Sequence, residues 1–196
     1  DGHPTMDLGT VDIRRALPFQ ADPEYLRERV TETLGRLYAV HWPFHQYRTA
    51  RGIRKSPFYD RLAGRGACFG EAQGWERPNW FALDGRPAIA HYSFGRASWF
   101  DAVGYEHQSV REKVALFDQS SFAKFEVVGP DAGRALNWIC SNELDREPGK
   151  VISTQMLNER GGGECDLTVT RLGEQAFYVV TGTGSNLQYF MGWLHL

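Results

Sequence analysis

Cysteine is scarce in this chain: Cys68, Cys140 and Cys165 are odd in number, widely spaced and never in a CxxC pair. Three such thiols argue against a disulfide framework, fit a reducing compartment and announce no metal site. His41 and His45 have the four-residue spacing of helical metal ligands, but Pro43 lies between them and no carboxylate or thiol stands at ligand spacing. No metal is therefore expected. No apolar run is long enough to span a bilayer, and the opening DGHPTMDLG lacks the basic start and apolar stretch of a signal peptide. Nor is there a long basic run. With 22 Lys and Arg against 24 Asp and Glu, the formal charge is -2. That balance argues against a dedicated nucleic-acid or membrane-surface binder and points to small-molecule partners.

What is present is a globular composition. The 196 residues are 42% hydrophobic and 13% aromatic, enough to bury a core as one domain or two small ones. Asp22, Pro23 and the spacing of Leu26, Val30, Leu34 and Leu37 predict an amphipathic helix from Asp22 to about Tyr38, apolar side inward. From Tyr47 to Phe81 arginine, glycine and aromatics take over. Pro57 is expected to open a short helix through Leu62, and the glycines at 64, 66, 70 and 74 to break regular structure after it. Gly64-x-Gly66 with Gly70 is not a dinucleotide fingerprint, because it follows a helix and its third glycine comes one residue late. Arg48, Arg51, Arg54 and Lys55 suit an anionic group; their plain reading is a solvated cationic loop paired with Asp60, Glu71 and Glu76. Trp75, Trp80 and Phe81 are expected to anchor this segment to its neighbour.

From Tyr105 onward the pattern predicts helix 107–116 with Val110 and Val114 inward, strand 122–128 and helix 131–140. Strands near 151–157, 164–171 and 176–181 follow, an α+β layout. Within it LNERGGGECDLTVTR, Leu157 to Arg171, reads as a glycine turn leading into a strand. Asp166, Thr168 and Thr170 share one face of that strand; Cys165, Leu167 and Val169 share the other, apolar one. On pattern alone Asp166 belongs to an ordinary solvated polar face. Gly182-Thr183-Gly184 lacks the third glycine of a dinucleotide motif and reads as a plain turn before a helix capped by Ser185.

Four stretches, lying along the chain in the family's order, carry a resemblance. VREKVALFDQSSFAKFEVVGPDA, Val110 to Ala132, and MLNERGGGECDLTVTRL, Met156 to Leu172, resemble the start of the folate-binding domain of the glycine-cleavage T-protein, or aminomethyltransferase. SPFYDRLAGRGACFGEAQGWERPNWF, Ser56 to Phe81, resembles the linking region of the dimethylglycine and sarcosine dehydrogenase family. That family includes a related regulatory subunit of pyruvate dehydrogenase phosphatase. The opening DGHPTMDLGTVDIRR resembles the tail of the family's FAD-binding domain.

The resemblance implies three parts: residues 1–40 as the tail of an FAD-dependent oxidoreductase domain, 41–100 as a central linking region, and 101–196 as the truncated N-terminal part of an aminomethyltransferase-like folate-binding domain. It implies a flavin-dependent N-demethylase. FAD, held mainly by an N-terminal domain outside this chain, oxidises an N-methyl glycine and passes electrons to an acceptor, and tetrahydrofolate captures the one-carbon unit. Asp166 matches the family's folate-site aspartate, which contacts N10 of the folate. Glu164 and Cys165 flank it and line the same site, and Thr181 matches a strand position near the pterin. Ser153 stands where relatives often carry a tyrosine against the folate, which removes a stacking surface. The alternative is a non-catalytic regulatory protein of the same architecture. A chain that starts without Met and stops in mid-pattern is expected to be an internal fragment, inactive alone. Its expected location is the cytoplasm of a bacterium or the mitochondrial matrix of a eukaryote.

Overall fold

Asp22 starts the first helix as its side chain dictates: the carboxylate accepts the Tyr25 N–H at 2.9 Å, with Pro23 in the first turn. The structure, a computed structural model, describes residues 16–40, 45–83, 85–158 and 160–182. Two units divide them, one from Ala16 to Ser121 and the other from Phe122 onward.

In the first unit helix α1 (Pro23–Arg36) does not turn its leucines inward. Leu26, Val30, Leu34 and Leu37 remain between 41% and 67% exposed, while Tyr25 and Arg29 are buried. The helix docks through a polar stripe instead. Arg29 donates to the Thr49 and Ala50 carbonyls at 2.8 and 3.2 Å and to Glu71 at 2.7 Å. Glu32 accepts the Arg48 and Thr49 N–H groups at 3.0 and 2.8 Å and the Thr49 hydroxyl at 2.6 Å. The guanidiniums of Arg29 and Arg36 each lie 4.1 Å from the centroid of the Tyr47 ring. Residues 46–50 form no strand or helix, so their backbone groups need partners, and the polar side of α1 supplies them. This need, not the apolar period, chooses the face. His41 and Pro43 lie outside the described residues; His45 comes within 3.8 Å of Glu32.

After the short helix α2 (Tyr59–Ala63) the glycine-rich stretch forms strands β1 (Ala67–Ala72) and β2 (Trp75–Phe81), not the broken structure its glycines predict. Ala72 pairs with Trp75, so only Gln73 and Gly74 make the turn, with left-handed φ of 52° and 78°. Such two-residue turns carry the twist an antiparallel pair needs. A Cβ at Gly74 would also meet the Phe19 ring at 2.7 Å. Of the cationic loop, Arg51 alone among the described residues forms one of the expected ion pairs, with Glu76 and out of solvent. Glu76, 5% exposed, accepts Arg51 Nε at 2.8 Å, Arg51 Nη2 and the Gly52 N–H at 2.7 Å, while Glu71 is taken by Arg29. Arg54 stacks over Trp75 at 4.4 Å.

Trp80 is an anchor as expected, buried with Cys68 and with Ala102 of helix α3 (Phe100–Glu112). That helix starts seven residues before the predicted position 107 and turns Ala102 inward; Val110 is exposed, and Val114, past the helix end at Glu112, is 94% exposed. The small Ala102 fits against the indole, and Glu106 fixes the helix by accepting the Phe81 N–H at 2.7 Å.

The second unit follows its predicted pattern closely. Strands β3 (Ala123–Val128), β4 (Val151–Leu157), β5 (Gly163–Arg171) and β6 (Ala176–Thr181) form an antiparallel sheet in the order β3-β6-β5-β4. Helix α4 (Ala132–Ile139) contributes Ala132 and Leu136 to a core with Leu144, Met156, Leu167, Val169, Phe177 and Val179. Asp131 precedes α4 without capping it and pairs with Arg134 at 2.8 Å. The predicted Ser185 cap lies outside the described residues.

Burial pushes the Glu32 carboxyl up, but the Thr49 hydroxyl and N–H, the Arg48 N–H and the Arg36 charge outweigh it and hold it at about 2, against an ordinary 4.5. A depressed carboxyl contributes stability that is complete above its unfolded value and is lost as the pH falls through its folded one. Glu32→Gln is expected to lower unfolding stability at neutral pH by on the order of 2 kcal/mol, a gap that closes as the pH falls from about 4.5 toward 2. Denaturant midpoints across that range check it, and equal midpoints at neutral pH would contradict the role.

Candidate functional site

β5 is an inner strand, laddered to β4 on one side and β6 on the other, so the orientation of each of its side chains is fixed by two registers. The turn before it is built on Asn158. Its backbone N–H and C=O exchange bonds with Gly162 and Gly161, and its side-chain oxygen accepts the Arg160 and Gly162 N–H groups at 3.0 and 2.9 Å. Gly161 takes a left-handed φ of 75°, as the glycine run predicts. One extra residue enters β5 where Leu157 pairs with Gly163 and Met156 with Cys165. Glu164 sits at that irregularity and accepts the Asn158 amide at 2.6 Å.

Past the irregularity the alternation is regular. Asp166 is exposed, and Leu167 and Val169 are buried in the core. Pairing across the sheet sets Gln155 beside Asp166, and Ser153 and Val180 beside Thr168, on the side opposite α4 and the core. Gln155 Nε2 donates to Asp166 Oδ1 at 3.0 Å. Among the described residues no Lys or Arg forms an ion pair with Asp166 and none bonds its second oxygen. Ser153 is exposed, and its carbonyl accepts the Asn142 amide at 2.7 Å.

Cys165 and Thr181 belong to the other side. Thr181, 5% exposed, pairs with Leu167, and its hydroxyl donates to the backbone carbonyl of Asp166 at 2.7 Å. The Cys165 sulfur lies 2.8 Å from that hydroxyl. The structure thus joins Cys165, Thr181 and the Asp166 backbone on the core side and sets the Asp166 carboxylate with Gln155 on the open side. Glu164 is occupied by the turn. Gln155 is the residue that sequence reasoning missed; counting back from the glycine turn could have found it as the cross-strand partner. Cys140 is a core residue whose thiol is pushed up to about 11 by burial and then by the nearby Cys165.

An exposed carboxylate with one oxygen held by an amide and the other open can accept an N–H from a bound amine, orient it and take its proton. No group of three or more His, Cys, Asp or Glu that could hold a metal ion occurs among the described residues. Among them, too, no helix is long and apolar enough to cross a membrane.

Residues 58–195, more than half of the chain, match the GCVT N-terminal domain family. The chain belongs to this family. Residues 1–56 of this GCVT-family chain match a second family, described as FAD dependent oxidoreductase central domain. Over 180 residues the chain is 48% identical to 4-methylaminobutanoate oxidase (formaldehyde-forming) of Paenarthrobacter nicotinovorans, a match covering 92% of this chain and 22% of that protein. It is 34% identical to the mitochondrial pyruvate dehydrogenase phosphatase regulatory subunit of Mus musculus, over 99% of this chain and 23% of that one. Mitochondrial sarcosine and dimethylglycine dehydrogenases of Homo sapiens match as well. The chain spans about a fifth of the length of these relatives. Among solved structures, the glycine cleavage system aminomethyltransferase T of Bartonella henselae aligns with a TM-score of 0.57 and 28% identity, over 74% of this chain and 35% of that one. The resemblance carried by the four sequence stretches, and the α+β fold it implies, are therefore those of the chain's own family and its relatives.

The buried Thr181 hydroxyl joins two strands through a backbone carbonyl, so Thr181→Val is expected to cost about 1 to 2 kcal/mol through the unsatisfied carbonyl it leaves. Thermal or denaturant unfolding checks this, and an unchanged midpoint would remove the hydroxyl from the list of what holds β5 to β6.

Proposed function

We propose that this chain is the middle part of a flavin-dependent oxidoreductase that demethylates a small N-methyl amino acid and delivers the one-carbon unit to tetrahydrofolate at the Asp166 face of the sheet. The observation that carries the reading is the half-satisfied Asp166 carboxylate on that open face. The names of the relatives, an oxidase that forms formaldehyde and dehydrogenases of sarcosine and dimethylglycine, supply the substrate class, an N-methyl amine on a short carboxylic acid. The extent of residues 1–40, 41–100 and 101–196 as flavin-domain tail, linking region and partial folate domain is part of this proposal. So is its location, bacterial cytoplasm or, by the printed names of the mammalian relatives, mitochondrion.

The described residues do not fit a flavin by themselves. Gly64 and Gly66 follow α2, and Gly70 lies inside β1, so they do not form the glycine loop between a strand and a helix that a dinucleotide needs. The oxidation is assigned to the rest of the longer protein. Tetrahydrofolate, when bound, supplies the amine nitrogens that capture the one-carbon unit. Toward it Asp166 offers the open oxygen as acceptor for the N10–H, and Thr168 and Ser153 continue the same face along the next cross-strand row. Glu164 and Cys165 then shape the site through the turn and the backbone of β5, and Thr181 by holding the Asp166 carbonyl. A regulatory protein of the same architecture is the second reading. It is favoured by Ser153, which gives a folate ring no aromatic surface, and by the match to a regulatory subunit over nearly the whole chain.

In the longer protein that carries this segment, Asp166→Ala is expected to leave flavin reduction by the methylamine unchanged while slowing folate-dependent capture by about a hundredfold or more, with free formaldehyde released. Equal capture in variant and parent would sink the catalytic reading. Ser153→Tyr is expected to tighten tetrahydrofolate binding several-fold by adding about 1 kcal/mol of stacking. Calorimetry reads it, and unchanged affinity would place the ring away from residue 153.

A further inference from the structure

Gln155 has no part in the proposed chemistry, yet the sheet brings it to Asp166 with more precision than an exposed pair requires. The two are register partners, and Gln155 Nε2 donates to Asp166 Oδ1 at 3.0 Å. The other end of the carboxamide is engaged as well. Ser141 Oγ donates to Gln155 Oε1 at 3.4 Å and accepts the Gln155 N–H at the same distance. Ser141 is itself fixed: its N–H donates to the Gln155 carbonyl at 2.9 Å, and its hydroxyl lies 3.2 Å from the buried Thr154 hydroxyl.

A carboxamide presents an acceptor at one end and donors at the other. The Asp166 carboxylate can only accept, so it takes the NH2 end and leaves the oxygen end to the Ser141 hydroxyl, and the amide is not free to invert. Gln155 of β4, backed by Ser141 of the loop before it, thereby holds one carboxylate oxygen. The other oxygen, without a hydrogen bond among the described residues, is left with a defined direction. The holder is also neutral. An Arg or Lys in its place would orient the carboxylate equally well but cancel the charge that an incoming amine needs.

We propose that Gln155, set by Ser141, is the positioning residue of the Asp166 site, holding Oδ1 so that Oδ2 meets the N–H of a bound amine. The proposal rests on the folate reading above. Gln155 touches no reacting atom; it acts through Asp166, and orientation alone is worth a large factor when a base must meet one proton.

The test uses the longer protein with Gln155→Glu, Gln155→Leu and Asp166→Asn. Gln155→Glu keeps the shape, removes the donor and adds a like charge, and Gln155→Leu removes the donor and the acceptor of Ser141 without adding charge. Both are expected to retain the parent's thermal midpoint, since the site is exposed, and its rate of flavin reduction. The ratio of formaldehyde released to methylenetetrahydrofolate formed should rise about tenfold in Gln155→Leu and further in Gln155→Glu. If Asp166→Asn abolishes capture while both Gln155 variants capture like the parent, the positioning role is overturned and the folate reading stands. If all three variants capture normally, the folate reading falls and takes this inference with it. Independently of turnover, the Gln155 side-chain NH2 resonances of the parent protein should shift on Asp166→Asn; unmoved resonances would show that the amide does not hold the carboxylate.

Discussion

The register of β5 against its two neighbours is the constraint from which the second unit follows. Side chains on a strand alternate strictly, so a slip of one residue would drive Asp166 and Thr168 into the core and expel Leu167 and Val169. Burying an unpaired carboxylate costs several kcal/mol, as does exposing two large aliphatic side chains, and a one-residue slip incurs both. The extra residue at Glu164 lets the glycine turn close without disturbing that register. The Asn158 side chain spends its oxygen on the turn and its amide on Glu164 for the same purpose.

The first unit is organised differently, by charges taken out of water. Glu76 and Glu71 are paired with Arg51 and Arg29, and Glu32 gathers the backbone of residues 48 and 49. Buried pairs of this kind add little stability over well-packed apolar groups, but losing one partner is expensive, so they specify an arrangement. Here they dictate which side of α1 faces the loop and keep an irregular stretch of backbone supplied with partners.

The second unit was legible in the sequence because its signals are local and mutually consistent: alternation over 164–171, a glycine turn, an apolar period in α4. The first was not, and for a definite reason at each element. The apolar stripe of α1 suggested burial, but a helix with arginine and glutamate on the adjacent side can be claimed by ions instead. The glycines at 70 and 74 read as breakers because their context was unseen: one lies within a strand, and the other, with Gln73, supplies the left-handed pair a tight turn demands. In α3 the inward residue is the small Ala102, and small residues leave almost no trace in a hydrophobic pattern. At the site, the identity of Asp166 came from resemblance and its face from alternation. Its partner Gln155 required cross-strand pairing, which sequence expresses only after the turn length is known.

Because β5 carries its core contacts and its polar display on alternate residues, the two can change independently. Substitutions at 166 and 168, or at 153 and 155 beside them, alter the open face and leave Leu167, Val169 and the packing under α4 untouched. A scaffold of this kind tolerates a change of ligand, or the loss of one, at no cost to its folding. What such a sheet displays can therefore change through side chains that the core never sees.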